Sequence, residues 1–215
     1  VAILPLPGGE FYHFGTSHEI ISSMLSIQNL VNDQRLIMHH SLKPQPSIFI
    51  QNSLVIKKPT KENRNVWIEN SCIGPHWTYS QDNIITGIPD NNWTIRLTDG
   101  QCADIVPVGE SGYVVRPYGF NDKFRGDITQ EDTVYLGRSF SIWAAEHGID
   151  TSAIEGSDDL QSAAIFPFVD NVNDIEPVLR WMLNEPNLTK GKTIWETSRK
   201  MSAEEISAKA NLRRL

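Results

Sequence analysis

Apolar residues between positions 48 and 88 recur at two superposed spacings. Ile48-Phe49-Ile50-Gln51-Asn52-Ser53-Leu54-Val55 returns eighteen residues later as Val66-Trp67-Ile68-Glu69-Asn70-Ser71-Cys72-Ile73, and Ile84 lies one further step of eighteen beyond Val66. Within each copy a second apolar position follows the first by six, Leu54 after Ile48 and Cys72 after Val66. An inward apolar residue every six positions, closing after three such units, is what a triangular coil needs if its copies are to stack into one core. The pattern predicts a mainly β fold, a parallel β-helix of the hexapeptide-like triangular solenoid kind, over residues 47–110. Ile48, Ile50, Leu54, Val66, Ile68, Cys72 and Ile84 are its expected buried positions. Residues 57–64 (Lys-Lys-Pro-Thr-Lys-Glu-Asn-Arg) interrupt one side and are expected to bulge as a loop.

The flanks read differently. Residues 1–12 suggest a strand, a Pro7-Gly8-Gly9 turn and a short aromatic strand ending near Tyr12 and His13. A helix follows with Ser17 as its expected N-cap and Ile20, Ile21, Met24, Leu25, Ile27 and Leu30 at helical spacing. Residues 34–47 are polar and contain prolines, which suits a connector. Trp93 to Leu97 alternates strictly, and the Asp99-Gly100 turn leads to Ala103–Val108, so a hairpin capping the stack is expected there. Tyr113–Gly119 is one further strand. Beyond Phe124 the pattern turns helical: Phe140–Glu146, Asp159–Ile165, and the stripe Ile175, Val178, Leu179, Met182, Leu183. Ser202 followed three residues later by Glu205 predicts a capped C-terminal helix.

Composition narrows the class without naming it. The 215 residues are 40% hydrophobic and 21% charged, ordinary values for a globular protein with a sizeable core. A net charge of −7 disfavours a nucleic-acid or anionic-membrane partner, which needs a basic footprint. No apolar run approaches the roughly 20 residues of a bilayer span. Two cysteines, Cys72 and Cys102, are no disulfide framework, and the expectation is a reducing, cytoplasmic setting. The chain opens at Val1 in an apolar run and stops at Leu215 without a terminator, so a piece of a longer protein is expected.

Candidate chemistry concentrates at residues 11–19, Phe-Tyr-His-Phe-Gly-Thr-Ser-His-Glu. A tight Gly-Thr turn at a helix start leaves free N–H groups and a positive dipole end, which suit a phosphate or a sugar hydroxyl. Helix capping by Thr16 and Ser17 is the structural alternative. His39-His40 are neighbours that cannot share a helix face, which makes a poor metal pair. His76 is the one histidine of the β region; it could serve as an acyltransferase base between coils, and it does not supply the three ligands of a β-helix carbonic anhydrase. Trp67, Trp77 and Trp93 are expected as outward or corner packing rather than a sugar platform. Arg116-Pro117-Tyr118-Gly119 and Asp122–Gly126 read as solvated rim or as a domain interface. No P-loop, dinucleotide fingerprint or Ser-His-Asp order is present.

Several motifs in order resemble one family. Glu10–Ser17, Trp67-Ile68-Glu69-Asn70-Ser71, Ile84–Pro89, Asp104-Ile105-Val106-Pro107, Val115–Gly119 and Ser202–Ile206 are similar to the bifunctional fucokinase/GDP-fucose pyrophosphorylase family over nearly the whole chain. The resemblance implies a central fragment of an enzyme that phosphorylates fucose with ATP and then transfers a guanylyl group from GTP to fucose 1-phosphate. It implies residues 1–40 as the C-terminal edge of a nucleotidyltransferase domain, 41–130 as the β-helix, and 131–215 as a helical linker toward a kinase domain. Mg²⁺ with GTP and ATP belongs to the full-length enzyme, with no cofactor, metal or catalytic residue expected in this stretch. The implied partners are a small sugar phosphate and a nucleotide, reached through the flanking domains. His13, Gly15, Thr16 and Ser17 are the implied substrate-binding residues; His13 stands where related nucleotidyltransferases often carry an aspartate, so a metal role there is not carried over. The alternative class is a non-catalytic β-helix scaffold or carbohydrate-binding module.

Overall fold

The computed structural model describes residues 9–30, 47–156 and 158–215. The first expected strand, most of the 34–47 connector and the His39-His40 pair lie outside those residues. Strands β1 (Ile48–Gln51), β3 (Arg64–Glu69), β5 (Gln81–Thr86) and β6 (Gln101–Val108) pair in parallel and form one side of the solenoid. β2 (Leu54–Val55) and β4 (Cys72–Ile73) form a second side. A parallel bridge between Thr78 and Arg96 marks the third. That third side is absent from the first coil because residues 57–63 run as a loop, as the charged stretch predicts.

The coils turn at residues that tolerate a left-handed backbone. Asn52, Asn70 and Gly87 occupy one corner with φ of 42°, 48° and 67°; Asn65, Asp82 and Gly100 occupy another with 53°, 55° and 73°. Asparagine, aspartate and glycine are the residues for which this region costs least. Corner side chains also bond coil to coil, Asn52 Nδ2 to Asn70 Oδ1 at 2.6 Å and Asn65 Nδ2 to Asp82 Oδ1 at 2.8 Å. Gly87 has a second constraint, since an added Cβ would lie 2.2 Å from the Ile105 carbonyl oxygen.

The second repeat is one residue shorter than expected. Ile48 pairs with Val66, but Val66 pairs with Asn83, and Trp67 is the partner of Ile84. A one-residue slip moves a side chain to the opposite face of a strand. Ile84 is therefore buried on the outer face, with Phe49, Cys102, Phe120 and Ile21, while Asn83 takes the inward position that Ile84 was expected to hold. Asn83 is fully buried and satisfied: its amide donates to the Thr98 and Gln101 carbonyls at 2.9 and 2.7 Å and accepts from Ser80 N–H at 2.8 Å. Asn63 and Gln101 accept in the same way from the N–H three residues earlier, at Thr60 and Thr98. These amides form a polar spine beside the apolar columns.

Val66 and Ile68 are fully buried and Ile48 nearly so. Ile50 and Leu54 are not: they are 42% and 62% exposed, because among the described residues β1 and β2 are edge strands, and an end coil has a neighbouring coil on one side only. Cys72 is half-buried, Cys102 is buried, and both are free thiols. The expected hairpin is also corrected. Trp93–Leu97 bridges sideways to Thr78, and the antiparallel partner of β6 is β7 (Gly112–Gly119). β7 pairs with β10 (Phe166–Val169), which pairs with β11 (Lys200–Met201), so a seven-stranded sheet continues out of the solenoid. A small hairpin of β8 (Val134–Tyr135) and β9 (Arg138–Ser139) stands apart.

Helix α1 (Ser17–Leu30) covers the outer face through Ile21, Met24 and Leu25. The C-terminal region holds α2 (Phe140–His147), α3 (Ile175–Leu183), α4 (Thr189–Thr197) and α5 (Ala203–Lys209) around the strands already named. The stripe expected at 175–183 is α3, whose Ile175, Val178, Leu179, Met182 and Leu183 are all buried. Residues 159–165 form turns instead of a helix, pinned by Leu160 N–H to the Gly126 carbonyl at 2.8 Å and Ala164 N–H to the Glu155 carbonyl at 2.9 Å. Ser202 caps α5 by accepting from Glu205 N–H at 3.1 Å. The Glu205 carboxylate pairs with Arg199 and Lys209 rather than reaching back to the cap.

Candidate functional site

His13, Gly15, Thr16 and Ser17 do meet, at the start of α1. Residues 9–14 carry no strand, so the turn is anchored by the helix and not by a sheet edge. Thr16, not Ser17, is the cap: its carbonyl accepts from Ile20 N–H at 3.0 Å, and its hydroxyl contacts Glu19 N–H at 3.3 Å and the Glu19 carboxylate at 2.8 Å. Glu19 three residues on from Thr16 is the capping-box spacing, one residue earlier than the sequence pattern suggested. His13 Nδ1 lies 2.8 Å from Glu19 Oε2, with the His13 side chain 59% exposed. The His13 bond, then the Thr16 hydroxyl, hold the Glu19 carboxyl below its ordinary range. Gly15 leaves room for the His13 ring, whose Cε1 would lie 2.5 Å from an added Cβ and would have to swing away. Ser23 Oγ donates to the His13 carbonyl at 2.5 Å and ties the turn back to the helix.

This helix start sits against the end of β7. Ser17 lies beside the Tyr118 phenol, and His18 packs edge-on against Phe120 with ring centres 6.3 Å apart. Burial pushes the Tyr118 phenol well above its ordinary range, so it remains a neutral hydroxyl. The Arg116 guanidinium lies 5.4 Å from the Tyr118 ring centre and clasps Asp104 through Nε and Nη2, the Nε contact being 3.0 Å. Thr86 donates to the other Asp104 oxygen at 2.7 Å. A continuous polar line thus runs from Ser17 through Tyr118, Arg116 and Asp104 to Thr86. Arg116 and Tyr118, read from sequence as solvated rim, are half-buried parts of it. The available signal was the repeat itself: Thr86 and Asp104 stand on paired rungs, as do Glu69 and Thr86.

Other candidates disperse. His76 is exposed. Trp77 and Trp93 are core residues, not outward or corner packing, with ring centres 6.5 Å apart; Trp67 alone faces outward and packs on Phe49. His147 is buried, with Nδ1 2.7 Å from the Trp143 carbonyl and Nε2 2.8 Å from the Trp181 carbonyl. Asp122, expected on a charged rim, accepts from the Gly119, Leu136 and Gly137 N–H groups at 2.6, 2.7 and 3.2 Å. Among the described residues no three His, Cys, Asp or Glu side chains cluster as metal ligands, and no helix is long and apolar enough to cross a membrane. Near the α1 start the acids are Glu10, whose carboxylate takes the Tyr12 hydroxyl, and Glu19, held by His13 and Thr16; this donor set does not fit the carboxylates an Mg²⁺ site needs.

A triangular solenoid with a helix start presented on its outer face defines a class, that of β-solenoid proteins. Comparison with known proteins is more specific. The chain belongs to the fucose pyrophosphorylase domain family, whose model matches residues 1–171. It is 51% identical over 216 residues to a Bacteroides fragilis protein described as L-fucokinase/L-fucose-1-P guanylyltransferase; the match covers 100% of this chain and 23% of that protein. The chain therefore spans about a quarter of the length of that relative. No solved structure matches the chain.

Proposed function

We propose that this chain is the central part of an enzyme that makes GDP-fucose, by ATP-dependent phosphorylation of fucose followed by guanylyl transfer from GTP. The observation that carries the reading is the 51% identity along the whole chain to the bifunctional Bacteroides fragilis protein. In this reading the solenoid is scaffold and interface, and the stretch alone is inactive in both steps. Mg²⁺ enters with the nucleotides in the flanking domains, where it neutralises phosphate charge during transfer. The setting is cytoplasmic. His13, Gly15, Thr16 and Ser17 contribute the part of the fucose 1-phosphate site that lies in this chain. Their support is geometric: with Nδ1–H donating to Glu19, the imidazolium form of His13 has its Nε2–H left to offer a phosphate oxygen at the start of α1.

The test uses the longer protein. His13→Ala and Thr16→Ala are each expected to lower GDP-fucose synthesis by about tenfold, a loss of about 1.4 kcal/mol in transition-state binding, with fucose phosphorylation unchanged. A parallel fall of both activities together with thermal stability would make the four residues a helix cap and nothing more.

A further inference from the structure

The outer face of the solenoid is divided. One column, Phe49, Trp67, Ile84 and Cys102, is tied into the apolar cluster beneath α1. The next outward column, two residues further along each strand, is polar: Gln51, Glu69, Thr86 and Asp104 stand on successive paired rungs, with Arg116 opposite Asp104. Rungs are about 4.8 Å apart. Over this row lies a cleft of about 590 Å³, floored by Glu69, Asn70, Thr86 and Arg116 and walled by Ile206, Ala210 and Leu212 of α5 and the turn after it. That volume is within the range of small-molecule sites.

The floor has hydrogen-bonding capacity that the fold does not use. Glu69 receives the Trp67 indole N–H on Oε2 at 3.0 Å, and Asn70 accepts from Asn52 on Oδ1. Among the described residues Glu69 Oε1, Asn70 Nδ2 and Arg116 Nη1 have no protein partner, and the Thr86 hydroxyl, having donated to Asp104, keeps its acceptor pairs. Unused acceptors and donors therefore share a floor opposite an apolar wall. Vicinal hydroxyls match such a floor, and the C–H face of a sugar ring matches such a wall. Charge selects further. Asp104 already neutralises Arg116, so Glu69 leaves the cleft with a net negative charge that repels a phosphate.

From this we infer that the cleft is a binding site for a neutral monosaccharide, separate from the helix start at Thr16; the site rests on its own geometry, and the choice of L-fucose as probe rests on the GDP-fucose reading. The probe is L-fucose, titrated into the 215-residue chain and followed by amide NMR shifts, with fucose 1-phosphate as the charged counterpart. Saturable shifts at Glu69, Asn70, Thr86 and Arg116 are expected with the neutral sugar, and weaker ones with the phosphate. Glu69→Gln should weaken binding about tenfold, the worth of one hydrogen bond to a charged group. Ser207 is exposed on the α5 wall, so Ser207→Trp should fill the cleft and abolish binding while the melting temperature stays unchanged. Absence of saturable shifts, tighter binding of the phosphate, or binding that survives Ser207→Trp would each overturn the assignment.

Discussion

The solenoid and the helical region behind it solve the same packing problem by opposite means. In the solenoid, stability is periodic: left-handed corners at Asn52, Asn70 and Gly87, inward isoleucines and valines, and the amide spine repeat from coil to coil. In the helical region it is singular. Tyr135, Phe140, Trp143, His147, Phe166, Trp181 and Trp195 pack ring against ring, with centres 4.6–6.4 Å apart, and no motif repeats. The indole N–H groups of Trp143, Trp181 and Trp195 each find a backbone carbonyl, at Met182, Pro186 and Ile165. The two regions nevertheless share one apolar cluster, from Ile48 to Ile206, and one sheet. A periodic core tolerates a local fault at its free end, whereas an aromatic core is only as good as its largest member.

Substitutions can break this comparison at graded cost. Ile68→Asp places an unpaired charge in the middle coil and is expected to cost at least about 4 kcal/mol, enough to abolish the cooperative melt seen by circular dichroism. Trp181→Ala removes the hub of the aromatic cluster and should cost about 3–4 kcal/mol in chemical denaturation. Asn83→Leu keeps the branched shape but strands the Ser80 N–H and the Thr98 and Gln101 carbonyls, an expected loss of about 2 kcal/mol. If Asn83→Leu instead stabilises the chain, the spine is not needed to hold the coils.

His147 sharpens the contrast through pH. Burial between Trp143 and Trp181 draws its imidazole below the ordinary value of 6.5, and the two facing carbonyls oppose this without overturning it. The folded state therefore holds the neutral ring more firmly than the unfolded chain does. Stability contributed this way is complete above the ordinary imidazole range and is lost as pH falls from there through the depressed folded value. The melting temperature should decline over that window, and His147→Phe should remove this part of the decline while leaving the carboxylate-driven loss at lower pH. At the small end, Leu54→Ser should change stability by less than about 0.5 kcal/mol, because the residue is on the uncovered edge of the first coil. A large loss there would mean that the terminal coil is covered after all.

Legibility followed the same divide. The eighteen-residue offset revealed the first two coils because identical corners demand identical residue types, asparagine at 52 and 70 and serine at 53 and 71. It misled at Ile84, where a coil one residue shorter exchanged inside for outside. Periodicity exposed α3 through a stripe buried on one side, but not the turns at 159–165, whose backbone bonds go to Gly126 and Glu155. At the helix start the four residues His13, Gly15, Thr16 and Ser17 were legible as a group. Their neighbours Tyr118, Arg116, Asp104 and Thr86 were not, since sequence distance hides a contact made across strands.

What the sequence by itself determined is local and repeated: the coil geometry, the loop at 57–63, the cap of α5, and the family to which the chain belongs. The first three follow from a backbone preference or a spacing that acts within one turn of chain, and the family from the order of several motifs along it. What only the tertiary structure decided is which of two alternate faces each residue of β5 presents, which strand pairs with β6, and which polar residues share a cleft. Those outcomes depend on one-residue differences in coil length and on partners many residues away. Side chains in a strand alternate faces with a period of two, so the smallest change in length reverses them.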